Sequence, residues 1–301
     1  MKTITAPVLD ENNALDEISG KKHGQWVDVM RRLARNKLAM AGLVIVVLLV
    51  VVAILAPVLA PYDYKTQEFS NRLAPLSKAH PLGTDEFGRD ILSRMIYGAR
   101  TSLLVALGGV VVCLVIGCTL GLVTGYFGGW IDTVIMRLLD IFMAIPALLL
   151  AVAIQSALGA GLFNTMLAVS VAGIPATCRI MRATVMTIRD QEYVEAAIAT
   201  GSSKARVIFR HILPNTLAPI LVEATLKISA NIMAISGLSF VGLGVQAPEA
   251  EWGAMVSSGR AYIRDYAPLV TFPGLAIVIT LVAFNVLGDG LRDALDPKLK
   301  Q

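Results

Sequence analysis

The chain has 301 residues, of which 55% are apolar and only 16% charged, and a formal net charge of +4. That balance excludes an ordinary soluble domain and points to a protein that crosses a bilayer several times. It also excludes nucleic acid as a partner, because no basic stripe with interleaved aromatics occurs outside the membrane flanks.

Residues 1 to about 22 are polar and of mixed charge, a composition that favours disorder. From Gln25 to Lys37, Trp26, Met30 and Leu33 recur at helical spacing among Arg31, Arg32, Arg35 and Lys37. The spacing predicts a basic amphipathic helix, either lying on an anionic lipid surface or continuing the first span as a frayed cytoplasmic extension. Residues 38–60 carry no charge and, at about 1.5 Å per residue, are long enough to cross the hydrocarbon core. The run starts too late and is too long for a cleaved signal, so it is expected to remain as an anchor, with Pro57 and Pro61 at its exit.

A polar loop, 61–98, follows on the outer side. Within it Thr84 is predicted to cap a short helix, with Asp85 and Glu86 in its first turn and Ile91, Leu92, Met95 and Ile96 as its apolar stripe. Five further apolar regions, 101–125, 138–158, 163–182, 217–245 and 270–288, bring the expected count to six spans in an all-α membrane protein. The tail to Lys37 holds seven Lys/Arg, and the segment from Arg179 to Arg210 holds six. The positive-inside rule therefore places both termini and that segment in the cytoplasm.

Several side-chain groups invite a chemical reading. Gly117, Gly121, Gly125 and Gly129 recur every four residues and predict a bare stripe for close helix packing. Cys113, Cys118 and Cys178 all lie in apolar runs and read as buried thiols, while His23, His80 and His211 are too scattered to form a visible ligand cluster. No metal site and no bound cofactor is expected. Asp132, Arg137 and Asp140 open the third span, with an Arg137–Asp140 pair expected at helical spacing. Glu223 and Lys227, four apart in the fifth span, read as a self-neutralising pair, with contact to a transported substrate as the alternative. Gly242-Leu-Gly244-Val-Gln-Ala247 matches a dinucleotide fingerprint formally, but it closes a membrane span and is rejected. No phosphate-cradling Gly-x-x-x-x-Gly-Lys-Ser/Thr occurs, so ATP chemistry would belong to another subunit.

The basic segment 189–214 carries Glu195-Ala196-Ala197, then Gly201, then Ile212-Leu213-Pro214. Composition predicts a helix over Glu192–Thr200, a left-handed turn at Gly201, and a second helix capped by Ser202 that runs to Pro214. Ala196, Ala197 and Ala199 leave a smooth surface able to enter a groove on a partner. Taken alone, the segment has an ordinary basic loop as its lesser alternative.

The spacing resembles the EAA loop of ABC importer permeases, and the resemblance extends from about residue 25 to the end. His80-Pro-Leu-Gly83-Thr-Asp85 with Gly88-Arg-Asp90 and Gly98-Ala-Arg-Thr-Ser102-Leu is similar to the start of peptide-type permeases. Leu238-Ser-Phe-Val-Gly-Leu-Gly244 with Pro248 and Trp252-Gly253 resembles their fifth span and following loop. Asn285-Val-Leu-Gly-Asp289 through Asp296-Pro297 is similar to their C-terminal signature. The group resembled is the second permease of dipeptide, oligopeptide and nickel importers, the DppC/OppC type. Two departures stand out: His211 occupies a position where the general pattern has Ile, and Ile235 one where many relatives carry an acid.

The resemblance implies a type I ABC importer (MetI-like) fold, with a transmembrane core over 99–292 and a cytoplasmic tail at 293–301. It also implies a second, different permease chain, two ABC ATPase subunits that bind ATP and Mg, and an extracytoplasmic substrate-binding protein. The chain itself would be a transport subunit and not an enzyme, sited in a bacterial or archaeal cell membrane. It would pass di- or oligopeptides, or alternatively a nickel chelate, glutathione or an opine. An ion-coupled secondary carrier is the competing class; it needs intramembrane carboxylate sites and paired inverted repeats.

Overall fold

A computed structural model describes residues 25–295, and among them the regular structure is helical, with a lone β-bridge between Thr84 and Asp90. Helix α1, Gln25–Arg35, is separate from α2, Lys37–Ile54, because the Asn36 side chain between them accepts the Ala39 amide at 3.1 Å and starts a new helix. The frayed-extension reading therefore fails. Val29 and Leu33 are buried against Leu287 and Ala294, whereas Met30 is exposed and the Trp26 side chain lies outside the described residues. The first apolar run ends as a helix at Ile54 and resumes for one turn over Ala56–Leu59.

The short helix expected after Thr84 does not form. Gly83 and Gly88 take φ of +78° and +75° and turn the chain there, and Thr84 donates to the Asn71 carbonyl instead of capping. The cap is Asp90, which accepts the Ser93 amide at 2.7 Å and opens α3, Ile91–Phe127. The stripe Ile91, Leu92, Met95 and Ile96 thus forms the first turns of the second span. At 37 residues, α3 is about 55 Å long and projects beyond the hydrocarbon core.

The third apolar region is not one straight span. Helices α4, Gly129–Met143, and α5, Ala147–Leu158, meet at 88°. Pro146 supplies no amide and disfavours helix at Ile145, so the break falls where a proline forces it. Helix α6, Leu162–Arg189, runs parallel to α3. A Cβ on Gly117 would lie 2.9 Å from the Thr177 Cβ, one on Gly121 2.6 Å from the Cys178 carbonyl, and one on Gly125 2.8 Å from the Arg182 carbonyl. The glycine stripe is a helix-packing seam, as expected, except at Gly129. That residue has φ +56°, starts α4 and faces no atom within 4 Å.

Helix α7, Glu192–Ala199, leads through a turn to the long helix α8, Lys204–Phe240. The short helix α9, Trp252–Gly259, precedes α10, Pro268–Leu295. Helices α8 and α10 are antiparallel, with the Ser229 hydroxyl donating to the Leu281 carbonyl at 3.2 Å and Gly288 against Leu226. The main core gathers apolar side chains of α2, α3, α5, α6, α8, α9 and α10. Among the described residues five helices are long and apolar enough to cross a membrane, and six crossings result when the bent pair counts as one. The packing of α1 on the end of α10 brings both ends of the described chain to one face.

Candidate functional site

The loop between α6 and α8 has a buried root and an exposed helix. Val194 of α7 and Val207 and Ile212 beyond the turn are buried with Met181 and Val185 of α6. Arg189 donates to the carbonyls of Gly125 and Tyr126 at 3.2 and 3.4 Å, fastening the root to the end of α3. The turn itself forms as expected. Gly201 has φ +83°, its amide reaches the Ile198 carbonyl at 2.9 Å, and the Ser202 amide reaches Ala197 at 3.0 Å.

Two expectations for this segment need correction. The cap after the turn is Ser203, not Ser202; Ser203 has extended backbone and accepts the Arg206 amide at 3.4 Å. The second helix also does not stop at Pro214. It passes through a π-helical turn, Val207–Ile212, and continues unbroken as the fifth span. Pro214 has no amide to donate and its ring crowds the preceding turn, and the wider π turn leaves it room. Ile212 is therefore buried and structural, Leu213 half-buried and Pro214 exposed.

What remains on the surface is the other half of the motif. Glu195, Ala196 and Ala199 are exposed, Ala197 is half-buried, and Tyr193 and Ile198 stand beside them with large exposed apolar areas. Among the described residues nothing pairs with the Glu195 carboxylate. Arg206, a conceivable partner within the loop, is exposed and unengaged by it.

Glu223 and Lys227 pair as expected, 3.5 Å apart and mostly buried. The Lys227 ammonium also donates to the Gly173 carbonyl of α6 at 3.2 Å, so the pair ties together the two helices that flank the loop. The Arg137–Asp140 pair expected from helical spacing forms, and the acids of the third span also find more distant partners. Asp132 receives two 2.6 Å hydrogen bonds from Arg182, and Asp140 is bonded by Arg179, while Arg137 stands 3.6 Å from Asp140 and largely exposed.

On the opposite face, three separated sequence motifs converge on Glu251, a residue sequence reasoning did not single out. It is 1% exposed. Its carboxylate accepts from Ser102 and Ser239 at 3.1 and 2.7 Å and from the amides of Gly253 and Ala254 at 2.8 Å each, capping α9. Trp252 donates to the Met95 carbonyl at 3.0 Å and lies against Gly98, where a Cβ would come within 2.7 Å of its ring. The signal was available: an acid directly before Trp-Gly at the start of a short helix. Nearby, Asp85 holds Arg89 at 2.6 Å and Arg94 at 3.4 Å, and His80 sits 3.0 Å from Asp90. In the loops at this face Lys65 and Tyr64 bond Glu249 at 3.0 and 2.9 Å. Burial pushes the Glu249 carboxyl up, but those two hydrogen bonds together with the charges of Lys65 and Arg94 outweigh it and leave it below its ordinary value.

The three cysteines are free, with Cys113 and Cys178 buried and Cys118 half-buried. Among the described residues no group of His, Cys, Asp or Glu is arranged to hold a metal. Gly242, at φ +84°, terminates α8 and does not open a helix, so the glycine-rich segment cannot cradle a nucleotide.

Residues 117–301 match the family described as binding-protein-dependent transport system inner membrane component, and residues 24–75 match the N-terminal TM domain of oligopeptide transport permease C. The chain is 46% identical over 275 residues to the dipeptide transport system permease protein DppC of Alkalihalophilus pseudofirmus, covering 91% of this chain and 90% of the relative. It is 41% identical over 300 residues to the oligopeptide permease OppC of Bacillus subtilis, covering 100% and 98%. The glutathione permease GsiD of Pectobacterium atrosepticum is 43% identical over 277 residues, covering 91% and 92%. In fold, the chain is similar to a structure of inward-facing conformations of the MetNI methionine ABC transporter, with a TM-score of 0.57 and 19% identity over 68% of this chain and 98% of that one.

Proposed function

Because the chain belongs to the family of binding-protein-dependent transport inner membrane components, as a DppC/OppC-like permease subunit of an ABC importer, we propose that it passes di- or oligopeptides and is driven through the exposed face of α7. The importer works by coupling ATP hydrolysis elsewhere to movement here. In this reading a second, different permease completes the path, two ATPase subunits bind ATP and Mg on the cytoplasmic side, and a binding protein delivers substrate outside. Both termini and α7 face the cytoplasm of a bacterial or archaeal cell, in keeping with the basic residues of the tail and of segment 179–210.

The observation that carries the reading is the exposed, unpaired surface of Glu195 and Ala196 on a helix rooted in the bundle through Val194, Val207, Ile212 and Arg189. A partner that grips α7 moves α3, α6 and α8 with it. ATP and loaded binding protein shift the outward-open population only to the extent that each binds that state more tightly. Glu195, Ala196, Ala197 and Gly201 form the gripped helix and its turn, while Ile212, Leu213 and Pro214 form the joint to the fifth span. Glu223 and Lys227 border the substrate path at the point where α6 meets α8.

The similarity to a glutathione permease keeps glutathione, itself a peptide, within the substrate class. A nickel chelate and an opine remain the outer alternatives. The secondary-carrier reading is disfavoured because Glu223, its candidate ion site, is neutralised by Lys227. Proteoliposomes holding the full complex test the proposal. Peptide uptake should require internal ATP and external binding protein and should be blocked by vanadate, whereas uptake driven by an ion gradient alone would refute it.

A further inference from the structure

The ion pair of Glu223 and Lys227 lies far from the helix ends and is incompletely satisfied. A Cβ on Gly173 would stand 3.1 Å from both the Lys227 Nζ and the Cys113 Sγ, so α3, α6 and α8 meet at the Lys227 ammonium. Each of these four residues is at least eleven positions from either end of its helix, about 16 Å, and all three helices are long and apolar enough to cross a membrane. Charged side chains so placed face a bundle interior or a water-filled path, because hydrocarbon penalises them strongly.

The two charges differ in how far they are satisfied. The Lys227 ammonium donates to the Gly173 carbonyl at 3.2 Å and faces Glu223 at 3.5 Å. The Glu223 carboxylate accepts no hydrogen bond among the described residues, and 3.5 Å is too long for a strong one. Glu251, by contrast, accepts from Ser102, Ser239 and the amides of Gly253 and Ala254. Nor is Glu223 sealed in: its side chain is 19% exposed, against 10% for Lys227. Its oxygens keep their lone pairs open at an accessible edge of the bundle. Lipid has no donor to fill them, so the edge faces a polar occupant.

We propose that this occupant is the transported peptide, with Glu223 receiving its α-ammonium. The inference rests on the peptide-permease reading above and names the group of the substrate that this chain itself recognises. An ammonium brings three donors to a carboxylate that lacks them, and the bonds formed are charge-assisted. Lys227, held in place by Gly173, balances Glu223 while the site is empty. A carboxylate has lone pairs for two cations, so the peptide does not have to displace Lys227. A peptide without its ammonium gains nothing from Glu223.

The test uses the purified complex of permeases and ATPases without binding protein, whose own selectivity then plays no part. The probes are dialanine amide and its N-acetyl derivative, which differ only in the ammonium, and binding is followed by saturation-transfer NMR. The parent complex should bind the free amine about tenfold more tightly, the size of one charge-assisted hydrogen bond. Glu223→Gln should abolish that preference, and Glu223→Asp, which keeps the charge, should retain it. Equal binding of both probes by the parent, binding of neither, or a preference that survives in Glu223→Gln overturns the inference. ATP-driven peptide uptake by the same preparation, reconstituted with binding protein, separates the two claims. Uptake without the preference leaves the peptide-permease reading standing, and absence of uptake by the parent overturns both.

Discussion

Arg182 of α6 grips Asp132 of α4 in a two-pronged contact, Nε to Oδ1 and Nη2 to Oδ2, each 2.6 Å. Planar guanidinium and carboxylate match in this arrangement, which is stiffer than a single ion pair. The contact fixes the root of the bent third span against α6, the helix that leads into α7. Asp132→Ala should lower stability in detergent by about 1–2 kcal/mol, since the pair is only partly shielded from solvent. A double-mutant cycle with Arg182→Ala, read by thermal unfolding, should return a coupling of similar size; additive losses would show that the two groups act separately.

The α3–α6 seam should be intolerant of added volume. Gly121→Val places its Cβ 2.6 Å from both the Cys178 carbonyl and the Met181 Cβ, so the helices must separate. A cost of about 1–3 kcal/mol is expected. Gly274, where an added Cβ would meet no atom within 4 Å, is the control, and Gly274→Ala should leave the melting temperature unchanged.

At Gly201 the constraint is conformational and not steric. Its φ is +83° and nothing lies within 4 Å of a Cβ there. Gly201→Val should cost about 1–2 kcal/mol at the turn and misdirect α7, abolishing stimulation of the ATPase by binding protein. Gly201→Asn, which tolerates left-handed backbone, should retain more of it. Equal behaviour of the two variants would contradict the turn-based account.

The tether of Lys65 and Tyr64 to Glu249 should respond to acid. The carboxyl is depressed in the folded protein, so the tether contributes above the ordinary carboxylate value and is lost as pH falls through the folded one. Glu249→Gln should be less stable than the parent at about pH 6 and converge with it as pH falls through the depressed folded value, with a gap under about 1 kcal/mol because the pair is exposed. A gap independent of pH would mean that the carboxylate charge is not responsible.

The spans and the helix–turn geometry around Gly201 were legible because their signals are local. A charge-free run such as 38–60 reports its own burial, and the combination of Ala-rich helix, Gly201 and basic flanks reports a turn. What was hidden depends on distant residues. Asp132 could be paired by helical spacing only with near neighbours, while its true partner is fifty positions away. Glu251 gained its meaning from Ser102 and Ser239, which only folding brings to it. The failure at Thr84 had a different cause: two glycines at positive φ outweighed a good cap sequence.

The central claim is that an ATPase subunit grips α7 at Glu195, whose carboxylate has no partner among the described residues. If that contact is desolvated in the complex, removing the carboxylate strands a charge on the partner and the loss is large. The direct measurement is retention of ATPase subunits by membranes carrying Glu195→Ala, across a salt series, with peptide uptake followed in parallel. The account predicts weakened retention at every salt concentration and impaired uptake; retention and uptake both equal to the parent's would contradict it.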